Sequence, residues 1–206
     1  MNTLFHLLRH ASHGHVGTVL TGRLSGAPLT PAGREEALAL GRYLAGRKPD
    51  AIYTSPRLRA QQTAEIVGRE TNTPYEVAPE LDEIDFGDWS GKGFEELGED
   101  RAWRRWNEER DTAATPAGDT MERASARMTG FMHRLHADFP GQGFALVSHS
   151  DVIKAALCRT LGTPFRSVHE FEIAPASVTT LSFDSDGARL VTRNLQPARL
   201  NVGAFA

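Results

Sequence analysis

The sequence predicts an α/β fold with a largely parallel sheet covered by helices on both faces. Two observations carry this reading. Short apolar runs alternate along the chain with stretches whose apolar residues recur every three or four positions. Three of those runs also stop at clusters of Arg, His, Ser and Asp, and ligands in such sheets bind just beyond the carboxyl ends of the strands. The 206 residues contain no internal repeat, low-complexity tract or linker, so one domain over residues 1–206 is expected.

The elements follow in order. Residues 4–8 form a short apolar run and read as a buried first strand. A Gly-, Ser- and His-rich loop extends to about residue 29. Thr30 then caps a helix with Pro31 in its first turn, Glu35 and Glu36 near its positive end, Ala37, Leu40 and Leu44 along one side, and Gly46 closing it. Residues 50–54 read as a second strand, and Ser55-Pro56 opens a helix carrying Ala60, Ala64 and Val67. Residues 78–98 are acidic, Gly-rich loop, and a charged helical stretch after them lays Trp103 and Trp106 against the core. Near Gly118-Asp119 starts the clearest helix, with Met121, Ala124, Met128, Phe131 and Leu135 as an apolar stripe and Pro140-Gly141 as its stop. Residues 144–147 are a buried strand. Residues 152–161 are a helix whose N-terminus Ser150 or Asp151 caps and which Gly162 ends. Residues 178–183 and 189–193 pair as a hairpin through Asp184-Ser185-Asp186-Gly187.

Composition narrows the function classes. Hydrophobic residues at 40% and charged residues at 24% are ordinary for a soluble globular chain. Twenty-three Lys and Arg against 26 Asp and Glu leave a net charge of −3, without the basic stripe that nucleic acid or an anionic membrane requires. The single Cys158 excludes an internal disulfide and a cysteine metal cage, and fits a reducing, cytoplasmic setting. No apolar run approaches the roughly 18 residues of a membrane helix, and residues 1–9 lack the basic leader and full apolar core of a signal peptide.

The chemistry lies in three strand-end clusters: Leu8-Arg9-His10, Tyr53-Thr54-Ser55-Pro56-Arg57-Leu58-Arg59 and Val147-Ser148-His149-Ser150-Asp151. A parallel sheet brings Arg9, His10, Arg59 and His149 to one mouth. Two cations and two imidazoles beside a helix N-terminus make an anion site, most naturally for a phosphoryl group. An unprotonated imidazole attacks phosphorus. Adjacent guanidinium groups keep it unprotonated by like-charge repulsion and stabilise charge on the transferring group. The leaving alkoxide needs a proton, and Glu83, flanked by apolar groups in Leu81-Asp82-Glu83-Ile84-Asp85-Phe86, is the candidate donor.

The ordered set formed by Arg9-His10, residues 54–60 with Thr63-Ala64, Glu83 ahead of Phe86-Gly87-Asp88-Trp89-Ser90-Gly91, and Ser148-His149 resembles the histidine phosphatase superfamily, also called phosphoglycerate-mutase-like. The likeness spans about residues 4–160 and includes Gly22, Leu29-Thr30 and Gly33. It implies a three-layer α/β/α sandwich and a phosphohistidine reached without metal or other cofactor. His10 is then the nucleophile, Glu83 the proton donor, and Arg9, Arg59 and His149 the phosphoryl ligands, with Gly22 as a further substrate-contacting position. Of the two arginines in the second motif, Arg59 directly precedes the alanine and is the ligand, which leaves Arg57 as a surface or rim charge.

The sequence departs from the family pattern in three places: Ala11 stands where glycine is usual after the first histidine, Ser150 stands where glycine or a small residue is common after His149, and residues 12–21 lack the usual continuation. His13 and His15 therefore have no role by likeness; both read as residues lining the entrance, where His15 is expected to contact the substrate. His6, His10, His13 and His15 are spaced by 4, 3 and 2, which matches no helix or strand face, so a zinc site is not expected. The preferred function is hydrolysis of a small-molecule phosphate monoester. A phosphoglycerate-mutase-type phosphotransferase is the alternative, weighed down by the short, mixed-charge segment 92–118, and a non-catalytic phospho-ligand binding module is the rival of another class. The arginines at 101–110 either grip a second anionic group or form a solvated helix face. Substrate choice is expected to reside in residues 12–21, 87–119 and 199–206, and the resemblance also allows a homodimer.

Overall fold

A computed structural model describes residues 2–200. Its six-stranded sheet has the order β3-β2-β4-β1-β5-β6. The strands are β1 (Thr3–Arg9), β2 (Ala51–Thr54), β3 (Tyr75–Val77), β4 (Gly143–Ser148), β5 (Val178–Asp184) and β6 (Gly187–Leu195). β1, β4, β2 and β3 pair in parallel, while β5 runs antiparallel to both β1 and β6. The helices are α1 (Pro31–Ala45), α2 (Leu58–Thr71), α3 (Phe94–Glu99), α4 (Arg101–Glu108), α5 (Met121–Asp138), α6 (Ser150–Leu161) and α7 (Pro197–Leu200). Among the described residues no helix is long and apolar enough to cross a membrane.

Strand alternation builds the layers. Phe5 and Leu7 of β1, with Phe144 and Leu146 of β4, face the core shared with Met121, Met128 and Met132 of α5 and Val152 of α6. Leu8, Ala145 and Val147 point the other way, onto Ala37, Leu40 and Leu44 of α1 and Ala60, Ala64 and Val67 of α2. The result is the three-layer α/β/α sandwich with a mostly parallel central sheet.

Several local expectations shift. The Thr30 side chain accepts from Gly33 N and Pro31 opens α1 as predicted, but Gly46 keeps right-handed geometry at φ −71° and Lys48 makes the left-handed turn. α2 begins at Leu58, not at Ser55-Pro56, because those residues form the turn leaving β2. Thr120 caps α5 through its side chain, and α6 has no side-chain cap at all: His149 occupies the cap position and Ser150 is already helical. Segment 78–98 holds short 3-10 turns at Pro79–Leu81 and Gly87–Trp89 and the start of α3. The brief β3 and α7 carry too little periodicity to be read from sequence.

Candidate active site

The site lies where three adjacent parallel strands end together. His10, one residue beyond β1, donates its backbone N–H to Ser148 O at the end of β4, and Ser55 N–H after β2 donates to Val147 O. Sheet register thus fixes the relative positions of three segments far apart in sequence.

Arg59, in the first turn of α2, ties the site together. Only 2% exposed, it donates from Nε to His10 Nε2 at 3.2 Å, and one terminal nitrogen reaches Gly22 O at 2.8 Å and His149 Nδ1 at 3.1 Å. The same nitrogen lies 3.6 Å from Glu83 Oε2, which is 3.4 Å from His149 Nδ1. The His10 and His149 rings have centroids 5.2 Å apart. Arg9 donates to Ile173 O at 2.7 Å, while its buried Nε has no partner among the described residues.

The hydrogen bonds assign the tautomers. A carbonyl oxygen only accepts, so the 2.9 Å contact from His10 Nδ1 to Ala11 O places the proton on Nδ1 and leaves the lone pair on Nε2. His149 Nδ1 accepts from Arg59, so its proton sits on Nε2 and is donated to Ser55 Oγ at 2.7 Å. Using both ring nitrogens in this way leaves His149 unable to cap α6.

Electrostatics reinforce the assignment. Burial first, then the Arg59 charge, pushes His10 and His149 well below the ordinary imidazole range, so both are neutral near pH 7. Glu83 shifts the other way. Burial raises its carboxyl to about 7 against the opposing pull of Arg59, leaving it poised between acid and base at neutral pH. Its loop is rigid: Glu83 N donates to Asp82 Oδ1, Ile84 N to Glu83 Oε1, and Arg23 Nε to Glu83 O at 2.8 Å.

The structure thus brings together His10, Arg9, Arg59, His149 and Glu83. Gly22 lines the same cavity with φ +52°, and a Cβ there would lie 2.5 Å from Ser90 Oγ. His13 and His15 both line the cavity of about 320 Å³ that opens over His10, with the His13 ring centroid 5.2 Å from that of His10 and the rings tilted by 45°. Among the described residues no three His, Cys, Asp or Glu side chains are grouped to hold a metal ion.

Two expectations are corrected. Arg57 is no simple surface charge: it grips Asp82 through Nε at 2.8 Å and a terminal nitrogen at 2.9 Å, and donates to Arg23 O. The arginines of 101–110 divide. Arg101, Arg104 and Arg105 are exposed and away from the cavity, whereas Arg110 is buried in its wall and paired with Asp151 at 2.9 Å. Residues 201–206 of the C-terminal specificity segment lie outside the described residues.

Sequence reasoning assigned no role to Ser55, Thr63, Asp82 or Arg23. Thr63 Oγ1 accepts from Ala11 N at 3.0 Å and fastens the backbone after His10 to α2. The available signal was proximity: each lies within four residues of a candidate.

Residues 5–196 match the family model described as "Histidine phosphatase superfamily (branch 1)". The chain belongs to the histidine phosphatase superfamily. Within it, the chain is 28% identical over 187 residues to the adenosylcobalamin/alpha-ribazole phosphatase of Escherichia coli (strain K12), covering 88% of this chain and 92% of that one. Phosphoserine phosphatase 1 of Hydrogenobacter thermophilus is 28% identical over 158 residues, covering 76% and 75%. The solved structure of a mycobacterial glucosyl-3-phosphoglycerate phosphatase superposes with a TM-score of 0.84 at 26% identity, covering 95% of this chain and 100% of that one. The present member of the superfamily is a hydrolase of the histidine-phosphatase type.

Proposed function

We propose that this histidine phosphatase hydrolyses small phosphate monoesters in two in-line transfers through a phosphohistidine on His10, with Glu83 as acid and then base. The observation that carries the reading is the tautomer of His10: a buried neutral ring with its Nε2 lone pair facing the Arg59 guanidinium. In the first transfer Nε2 attacks phosphorus, the P–O ester bond breaks, and the leaving alkoxide takes the Glu83 proton. In the second, the Glu83 carboxylate removes a proton from water, whose oxygen attacks phosphorus. The P–N bond breaks and its electron pair returns to Nε2. Arg59 and Arg9 hold the equatorial oxygens, and the unpartnered Arg9 Nε gains an acceptor when a phosphoryl oxygen arrives. His149 presents Nδ1 to the same space, and Gly22 and His15 contact the substrate from the loop above.

We assign this chemistry to one catalytic domain over residues 1–206, since both core layers share the single sheet, and place it in the cytoplasm, in keeping with the buried free thiol of Cys158. The test is turnover of an aryl phosphate in excess chelator, with rapid-quench labelling for a phosphoenzyme stable to alkali and lost in acid. Loss of turnover with chelator, or an active His10→Ala protein, overturns the mechanism.

A further inference from the structure

The cavity extends well past the phosphoryl-binding groups, and its outer half has two unlike walls. One is apolar. Val16 and Leu20 of the loop before α1 line it together with Phe94 of α3 and Trp103 of α4. Phe94 is 40% exposed, and Trp103 stands edge-on to Trp89 with centroids 5.3 Å apart. Exposed aromatic surface inside a cleft gains most from an apolar ligand that removes it from water.

The rest of the lining is polar, and its cations already have partners, with Arg110 Nε a buried donor left without one among the described residues. Arg110 is 5% exposed, donates to Asp151 at 2.9 Å and to Asn107 Oδ1 at 2.8 Å, and lies over the Trp106 ring. Lys154 donates to Val168 O at 2.7 Å. Burial alone raises the Asp151 carboxyl, yet pairing with Arg110 holds it below its ordinary range. A carboxylate on the substrate would face the Asp151 anion and lose its own hydration there, whereas an uncharged acceptor satisfies the free Arg110 Nε–H without that repulsion.

We infer that the substrate is the phosphate monoester of an uncharged alcohol with a flat apolar or aromatic face, taken in preference to carboxylate-bearing esters. This deepens the hydrolase reading above and rests on it. The phosphoryl group sits on Arg9 and Arg59, the apolar face of the alcohol packs against Phe94 and Trp103, and its hydroxyl or ring acceptors meet the Arg110–Asp151 wall.

The experiment compares kcat/KM for 2-phenylethyl phosphate, glycerol 1-phosphate and O-phosphoserine, which all release primary alkoxides. The expected order is phenylethyl first, with phosphoserine lower by at least about tenfold, the scale on which a pocket discriminates. Phe94→Ala should cut the phenylethyl-to-glycerol ratio by about tenfold, the size of a lost hydrophobic contact. Phosphoserine equal to or better than the phenylethyl ester, or a ratio unmoved by Phe94→Ala, overturns the inference and leaves the hydrolase reading standing. Absence of turnover of all three esters removes both.

Discussion

Arg59 donates from Nε to His10 Nε2 at 3.2 Å, so the guanidinium that would hold the phosphoryl group also marks the lone pair that would attack it. On the proposed mechanism an entering phosphoryl group would replace His10 as the acceptor, and attack would then start from a nitrogen already aimed at the bound group. Lysine in this place keeps the charge but cannot span His10, Gly22 and His149 with one planar fork. Arg59→Lys is expected to lower kcat by about 10²–10³, the scale for removing a preorganised donor to a charged transition state. Steady-state kinetics check it, and a loss below fivefold contradicts the role.

Glu83 is predicted to set the basic limb of phosphoenzyme formation. With its carboxyl raised to about 7, the protonated fraction that can serve a leaving alkoxide falls as pH rises through neutrality. His10 stays unprotonated to well below pH 6.5, so the acidic limb lies far from the basic one. Glu83→Gln should slow alkyl phosphates by about 10²–10⁴, the usual worth of general acid–base catalysis. Single-turnover rates for 4-nitrophenyl phosphate, whose leaving group needs no proton, should fall far less. Equal losses on both substrates would show that Glu83 acts by position and not by proton transfer.

Ser55 is predicted to hold His149 in its working tautomer. Its Oγ accepts from His149 Nε2 at 2.7 Å, and Asp82, itself gripped by Arg57, lies 3.4 Å behind it. Ser55→Ala leaves a buried N–H without a partner, at a cost of about 1–3 kcal/mol. The expected result is a kcat lowered about tenfold with KM little changed, the pattern of an interaction made chiefly in the transition state. Ser55→Thr keeps the hydroxyl and should restore most of the rate. A loss of stability without any change in kcat would reduce Ser55 to a structural residue.

What the sequence revealed, and what it hid, follows from the range of the interactions. Strand-end clusters were legible because alternation and helical periods are local, and a parallel sheet then dictates that Arg9, His10, Arg59 and His149 meet. The apolar flanks of Glu83 likewise announced its raised carboxyl. The ring partners of His149 were not legible: they depend on a turn at Ser55-Pro56 that sequence reading absorbed into the following helix. Arg57 read as a surface or rim charge, and Arg110 as either an anion grip or part of a solvated face, because their partners Asp82 and Asp151 lie 25 and 41 positions away. Long-range ion pairs leave no periodic trace.

Gly33 offers a test of how the loop before α1 docks. A Cβ at this position would lie 2.0 Å from Ser12 O, the carbonyl that also accepts from Thr30 N. Ser12 is further fixed by Glu36, which accepts from its N–H and hydroxyl. Gly33→Ala must push the loop off α1, so a destabilisation of at least about 1–3 kcal/mol is expected, the range for overpacking a closed contact. Because His13 and His15 ride on the same loop, KM should rise as well. Urea unfolding and KM measured on one preparation decide it, and an unchanged midpoint contradicts the close approach.

Stability is predicted to fall between pH 7 and pH 5. His6 and His13 are lowered to about 4 chiefly by burial, and His10 and His149 lie well below 6.5, so all four gain protons in this range only on unfolding. Their contribution is present above pH 6.5 and is lost as pH drops towards the folded values. Glu83 works in the opposite sense. Raised from 4.5 to about 7, it favours the folded state below pH 4.5, and that contribution fades as pH rises through 7. Four histidines outweigh one carboxyl, so the free energy of unfolding should be lower at pH 5, each tenfold change in proton affinity being worth roughly 1.4 kcal/mol. His6, bonded to Thr180 Oγ1 within the sheet and outside the site, isolates one of these contributions. His6→Gln should shrink the pH 7 to pH 5 difference by about 2 kcal/mol by the same conversion. Urea titrations of both proteins at the two pH values measure it, and equal or greater stability at pH 5 would show that these imidazoles are not held neutral by the fold.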